Sequence, residues 1–370
     1  MPEGIIYTAD LEEAMKDKNL LVMAVPSVFV RSTAQKMKPF CKEGQLIVDV
    51  AKGIEENTLD TMTQIIKEEL PMAETAVLSG PSHAEEVSRG LPTLCVAGSR
   101  KKNVAEYVQS TFISPVFRVY TSPDVLGIET GAALKNVVAL AAGIADGLGY
   151  GDNAKAALIT RGMAEIARLG IAMGGKYQTY TGLSGIGDLI VTCASMHSRN
   201  RRAGILIGKG YTMEEAMKEV QMVVEGVYSA KAARSLAKKY NVSMPIVEEV
   251  NQVLFEGKPA KEAVADLMLR DKKMEHMSEI FNRHKMSPSC IHCNSICEGV
   301  FLWIISMYTR ISRRGRAERS MWVLWDLCAL GNPHLSSGLW SFLCSRTSRT
   351  DRKRPRPGMS FPRVLRGRRS

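Results

Sequence analysis

GIETGAALKNVVALAAGIADGLGYGDNAKAALITRGMAEIARLG, residues 127–170, is the stretch whose reading decides the fold. It reads as two long helices broken at Gly149-Tyr150-Gly151-Asp152-Asn153. The first is apolar or small nearly all the way round, through Ala132, Ala133, Leu134, Val137, Val138, Leu140, Ala141, Ala142 and Ile144. Such a pattern belongs to a helix enclosed by protein rather than lying on its surface. Into those surroundings the sequence places Lys135, followed by Asn136. Two readings stand. Desolvating an ammonium lowers its pKa, the property a general base needs. Alternatively, Lys135 lies at a helix edge and reaches water along its apolar stem.

Upstream of this pair, short apolar runs alternate with helical segments. Strands are predicted over 20–26 (LLVMAVP), 45–53, 76–82, 93–98 and 117–122, and helices over 10–18, 28–37, 83–89 and 101–112. A further helix, capped by Asn57, is predicted to run to about Leu70. The alternation indicates an α/β domain with a mostly parallel sheet. Ligands bind beyond the carboxyl ends of such strands, which places Pro26-Ser27, Lys52-Gly53 and Gly80-Pro81-Ser82 on one rim. Downstream, no convincing strand follows Asp124, and helical patterns over 199–209, 212–220, 228–240, 246–255 and 258–268 define an all-helical domain.

Several rim and helix-start residues carry chemistry or a plain alternative. Lys52 reaches a bound phosphate or hydroxyl, or is a solvated loop lysine. The turn Ser79 to Ser82 offers main-chain N–H groups to an anion. Asp188, ending the turn Ser184-Gly185-Ile186-Gly187, accepts hydrogen bonds from substrate hydroxyls or caps a helix. Ser198-Arg199-Asn200-Arg201-Arg202 sets three guanidiniums and a hydroxyl at a helix start, suited to a phosphate or simply solvated. Glu225 holds a ribose hydroxyl or is a surface acid.

The overall charge of +11 hides a division near residue 276. From Met277 to Ser370 there are 17 Lys and Arg against 5 acidic residues, all 4 Trp and 5 of the 8 Cys, whereas residues 1–276 carry 32 against 33. So abrupt a change of usage suggests that 277–370 is a disordered or spurious basic tail from a frameshift, read-through or fusion. The remaining cysteines, Cys41, Cys95 and Cys193, are widely spaced, as in a reducing cytoplasm. No signal peptide is read at the start, no apolar run long enough for a membrane span, and no metal-site spacing.

In their order and spacing these segments resemble the NAD(P)-dependent glycerol-3-phosphate dehydrogenases of the bacterial type. The resemblance rests on AVPS (24–27), AKG (51–53), SGPSHAEE (79–86), ALKNVVALAAGIADGLGYGDNAKAALITRG (133–162), GIGDLIVTC (185–193), SRNRRAG (198–204) and VVEG (223–226). It implies interconversion of dihydroxyacetone phosphate and sn-glycerol 3-phosphate with NAD or NADP, for glycerophospholipid synthesis. Lys135 is then the proton acceptor and donor. Lys52, Gly80, Ser82, Lys135, Asp188, Ser198, Arg199 and Asn200 line the substrate, while Lys52, Ala84, Arg199, Val223 and Glu225 face the cofactor. A small phosphorylated substrate, no specific nucleic acid, no membrane span and an open oligomeric state, with a homodimer as one option, complete the expectation.

One departure shapes it further. No G-x-G-x-x-G turn precedes the strand at 20–26, so a member lacking on the order of 60 N-terminal residues, with weak cofactor binding, is expected. The expected architecture is therefore an incomplete Rossmann-type parallel-sheet domain over 1–123, a helical substrate and catalytic domain over 124–276 and the tail. Two other functions compete: a related dehydrogenase of another hydroxy substrate, and a noncatalytic remnant whose basic tail binds nucleic acid.

Overall fold

The computed structural model describes residues 4–272. The readings that fall on the tail lie outside these residues. Five strands form one sheet in the order β1-β2-β3-β4-β5: β1 (Leu20–Met23), β2 (Leu46–Asp49), β3 (Glu74–Ser79), β4 (Thr93–Gly98) and β5 (Phe117–Ser122). Helix α1 (Leu11–Met15) precedes β1, and between the strands run α2 (Val30–Met37), α3 (Met62–Glu69), α4 (Ala84–Val87) and α5 (Lys102–Phe112). The helical layer follows: α6 (Val125–Gly147), α7 (Asp152–Ala172), α8 (Tyr177–Tyr180), α9 (Asp188–Ala194), α10 (Arg199–Gly208), α11 (Met213–Val220), α12 (Glu225–Lys239), α13 (Pro245–Phe255) and α14 (Ala260–Met268).

Strands β1, β2 and β3 are mutually parallel, with Leu20 beside Leu46 and Leu46 beside Glu74. Their carboxyl ends therefore share one rim. The sheet is mixed, because β4 runs antiparallel to β3, with Val77 opposite Gly98, before β5 pairs parallel to β4. Alternation along the strands serves two cores. Met23 and Ile47 pack with α2 and α3, while Leu46, Val48, Ala76, Cys95 and Val119 pack with α5. Covering both faces at the centre of the sheet is what buries residues 46–49 of β2 and 76–79 of β3 without alternation.

The expected Asn57 cap is not used. Residues after β2 first make a tight loop, closed by an antiparallel bridge between Ile54 and Thr61 with Leu59 at φ 66°. The helix starts only beyond it, where the Thr61 N–H donates to Gln64 Oε1 at 2.8 Å. That arrangement satisfies a main-chain donor the helix leaves free.

Helix α6 is buried along nearly its whole length and forms the axis of the helical layer. It alone among the described residues is long and apolar enough to cross a membrane, and the surrounding protein covers that apolar surface. Its contact with α10 is unusually close. A Cβ at Gly143 would lie 2.2 Å from the Arg201 carbonyl oxygen, and one at Gly204 would lie 2.2 Å from the Leu140 oxygen. Gly147 and Gly208 make the same kind of approach one turn on. Only glycine lets main chain meet main chain at this distance. We expect Gly204→Val to destabilise the fold by about 3 kcal/mol through overpacking, read as a lowered denaturation midpoint; an unchanged midpoint would contradict this packing.

Candidate functional site

Lys135 lies in the middle of α6 and is 3% exposed, so the helix-edge alternative does not hold. Its Nζ donates to Asp188 Oδ1 at 2.5 Å and to Thr192 Oγ1 at 2.7 Å. Asp188 opens α9 directly after a single wide turn, Leu183–Gly187. Gly185 of that turn is required by contact: a Cβ there would sit 2.2 Å from the Tyr180 carbonyl oxygen. The second Asp188 oxygen accepts from Lys52 Nζ at 2.7 Å, and the same ammonium donates to the Gly80 carbonyl at 2.9 Å. One buried carboxylate thus joins a lysine of the sheet rim to a lysine of the helical axis, 136 residues separating Lys52 from Asp188.

These charges set one another. Burial drives the Lys135 ammonium down to about 8, opposed by Asp188 and reinforced by Lys52. Burial also raises Asp188, but the two ammoniums outweigh it and hold the carboxyl below its ordinary value. Buried charges persist only when paired in this way.

A chain of amides fixes the other wall. Asn136 donates to the Lys52 carbonyl at 3.1 Å, Asn200 donates to Asn136 Oδ1 at 3.0 Å, and the Gly226 N–H donates to Asn200 Oδ1 at 2.8 Å. Next to Gly226, Glu225 is buried and accepts from the main-chain N–H of Ser27 at 3.0 Å and from its hydroxyl. The AVPS, AKG, ALKN, SRN and VVEG segments therefore converge within one hydrogen-bonded region.

The SRNRR segment divides in its roles. Ser198 caps α10, its hydroxyl accepting from the Arg201 N–H at 3.2 Å. Arg201 does not join a phosphate cluster. Its guanidinium is held by Asp146 at 2.8 Å and by the Ala194 carbonyl at 2.8 Å, so the expected group of three cations is corrected to two. Arg199 is half-buried, Arg202 exposed, and neither side chain makes an ion pair or hydrogen bond with another described residue. Ser82 closes the β3 loop by donating to the Gly80 carbonyl at 3.2 Å. Ala84 is exposed and Val223 half-buried.

A cavity of about 510 Å³ opens beside Lys52, lined also by Val50, Leu78, Ser82, Ala84 and Cys95. A roomier cleft of about 790 Å³ lies near Arg234 and Met244, but no buried lysine or orphaned polar atom lines it. Among the described residues, buried side-chain atoms without a hydrogen-bond partner include Asp49 Oδ2, Ser79 Oγ and His83 Nε2. All three lie at or just beyond the carboxyl ends of β2 and β3, where a sheet of this kind takes its ligand. Ser27 was expected on the rim, though not its tie to Glu225; the sequence reading missed Thr192 and His83. Thr192 had a signal, since it stands four residues after Asp188 on one helix face; His83 had none.

The parallel strands β1 to β3 and the helical layer, joined by a buried lysine–aspartate–lysine bridge, place the chain in the α/β-plus-helical class. The family model described as NAD-dependent glycerol-3-phosphate dehydrogenase N-terminus matches residues 1–105, and that of the C-terminus matches residues 124–265. The chain belongs to the NAD-dependent glycerol-3-phosphate dehydrogenase family. It is 68% identical over 278 residues to a glycerol-3-phosphate dehydrogenase (NAD(P)+) of Agathobacter rectalis, covering 75% of this chain and 83% of that one. A Fusobacterium nucleatum relative of the same description is 62% identical over 280 residues, 75% and 84% of the two chains. Among solved structures, glycerol-3-phosphate dehydrogenase from Coxiella burnetii superposes with a TM-score of 0.70 at 35% identity, over 73% and 82% of the two chains.

The match over 1–105 overturns the expectation of a member cut short at its N-terminus: both regions of the family are represented. The absence of one short glycine spacing was weighed as the absence of a region. The strands and rim loops that carry the match run on through β1 to β4. Weak cofactor binding, expected on that ground alone, loses its basis.

Proposed function

We propose that the protein interconverts dihydroxyacetone phosphate and sn-glycerol 3-phosphate with NAD(P)H, residues 1–123 presenting the cofactor and residues 124–276 the substrate. The observation that carries this reading is the buried Lys135–Asp188–Lys52 bridge at the strand ends. An ammonium has three protons to give. Asp188 and Thr192 take two of those on Lys135, which leaves the third for a substrate oxygen. The orphaned Ser79 hydroxyl, exposed Ala84, half-buried Val223, partnerless Arg199 and spare lone pairs on Glu225 fit the nicotinamide and its ribose. When bound, the nicotinamide supplies or receives the hydride.

During reduction Lys135 delivers its proton to the C2 oxygen as that oxygen takes up the carbonyl electron pair. During oxidation the neutral amine accepts the hydroxyl proton. Asp188 holds the lysine in place in both directions, and Lys52 stays tied to Asp188 and to the rim at Gly80. Arg199, with Lys52, Gly80, Ser82, Ser198 and Asn200 around the substrate, supplies the cationic donor that a phosphate needs. Free thiols at Cys41, Cys95 and Cys193 support a cytoplasmic site of action in phospholipid precursor synthesis.

The test is a pair of initial-rate series. Dihydroxyacetone phosphate should be turned over with kcat/KM at least about a hundredfold above unphosphorylated dihydroxyacetone, because a buried polar site rejects a substrate lacking its partner. Reduction requires the ammonium, so its kcat should fall as pH rises through about 8, while oxidation requires the amine and should rise over the same interval. Equal use of the two ketones would point instead to a different hydroxy substrate.

A further inference from the structure

His83 sits on the β3–α4 loop between Ser82 and Ala84, and the chemistry derived above does not use it. Its Nε2 is sealed from solvent and has no hydrogen-bond partner. The side chain does not cap the helix that follows. Its ring centroid lies 6.2 Å from that of His197, on the loop leading to Ser198 and Arg199. The rim loop of the sheet and the loop before α10 therefore approach each other through two imidazoles. His83 follows Gly80, whose carbonyl holds the Lys52 ammonium, by three residues on the same loop, and the charged groups that act on it are Lys135, Lys52, Asp188 and Glu85. A buried ring nitrogen left without a partner is costly to keep unless a ligand completes it.

We propose that His83 is a further substrate-binding residue, its Nε2 donating a hydrogen bond to an oxygen of the phosphorylated substrate and its ring gaining a proton as that anion binds. The inference rests on the proposed substrate class. The direction of proton movement follows from the charges. Without substrate, burial and the ammoniums of Lys135 and Lys52 favour the neutral ring, against Asp188 and Glu85. A phosphate dianion entering beside Arg199 reverses the local field and favours the imidazolium. Both ring nitrogens then donate, and Nε2 is the one that faces inward without a partner.

Titration calorimetry of sn-glycerol 3-phosphate into the full chain with NADH present, a pairing that cannot turn over, in two buffers of different ionisation enthalpy near neutral pH, reads proton uptake on binding directly. The unmodified protein should take up a fraction of a proton on binding, and His83→Phe and His83→Gln should not. His83→Phe should raise KM for dihydroxyacetone phosphate about tenfold with kcat within about twofold, the pattern of lost ground-state binding. His83→Gln keeps a donor near the same place and should recover most of the affinity without the proton uptake. Variants with the affinity and proton uptake of the unmodified protein overturn the role of His83 alone. Failure of the unmodified protein to bind glycerol 3-phosphate overturns the proposed function, and this inference with it.

Discussion

Replacing Lys135 with methionine is expected to lower kcat for dihydroxyacetone phosphate reduction by about a thousandfold, within the range a positioned acid or base contributes. KM should change by less than about threefold, since the lost interaction forms chiefly as the oxygen gains charge. Methionine keeps an unbranched chain of similar length in a fully enclosed site, so the fold is expected to survive. Asp188 retains Lys52 as its partner in the variant. Lys135→Arg provides the sharper comparison. It preserves the charge but cannot give up a proton near neutral pH, so oxidation should be lost as completely as in the methionine variant. Steady-state rates followed by nicotinamide absorbance decide the matter, and a kcat within about tenfold of the unmodified protein would remove Lys135 from the chemistry.

Asp188→Asn should act on stability and on pH dependence together. The change leaves the ammoniums of Lys135 and Lys52 around a neutral amide, and removing one partner from a buried ion pair costs about 3–5 kcal/mol. Because Lys52 keeps some exposure, the lower end of that range is expected. The penalty should depend on pH in a defined sense. Asp188 titrates below its ordinary value in the folded protein, so its stabilisation is complete above the unfolded pKa of about 4 and fades as pH falls through the folded value. Unmodified and variant proteins should therefore converge in stability only under acid conditions. Without the carboxylate, Lys135 loses the group that opposes its desolvation, and the pH at which reduction fails should move below about 8. Chemical denaturation at several pH values, alongside the rate profile, reads both effects. A variant of equal stability at neutral pH would show that the bridge contributes nothing to folding.

Much of this architecture can be read from residue order. Apolar runs bounded by turn residues mark the strands, and the shared rim follows once β1 to β3 are taken as parallel. Lys135 is enclosed because the positions a turn away on α6, Gly131, Ala132, Val138 and Ala139, are small or apolar, a local property. The reversal of β4 is not local. It depends on the Gly80–Pro92 connection turning the chain straight back beside β3, which no periodicity records. Nor does spacing reveal that Arg201 turns to Asp146, 55 residues away, while Arg199 stays without a partner. The basic run was legible as charge, but its division between structural tie and available donor is a tertiary fact. The glycine spacing is the opposite case: it is a single local pattern, whereas the family match extends over residues 1–105.

The glycine contacts between α6 and α10 bear on how this protein tolerates change. They set the separation of Lys135 from the turn at Ser198 to Asn200 through carbonyl and Cα atoms, which have no rotamers. Side chains elsewhere in the helical layer can exchange volume without lengthening that span. The contact works as a fixed gauge block between Lys135 and the turn at Ser198 to Asn200, so drift in the core is isolated from the spacing of the two.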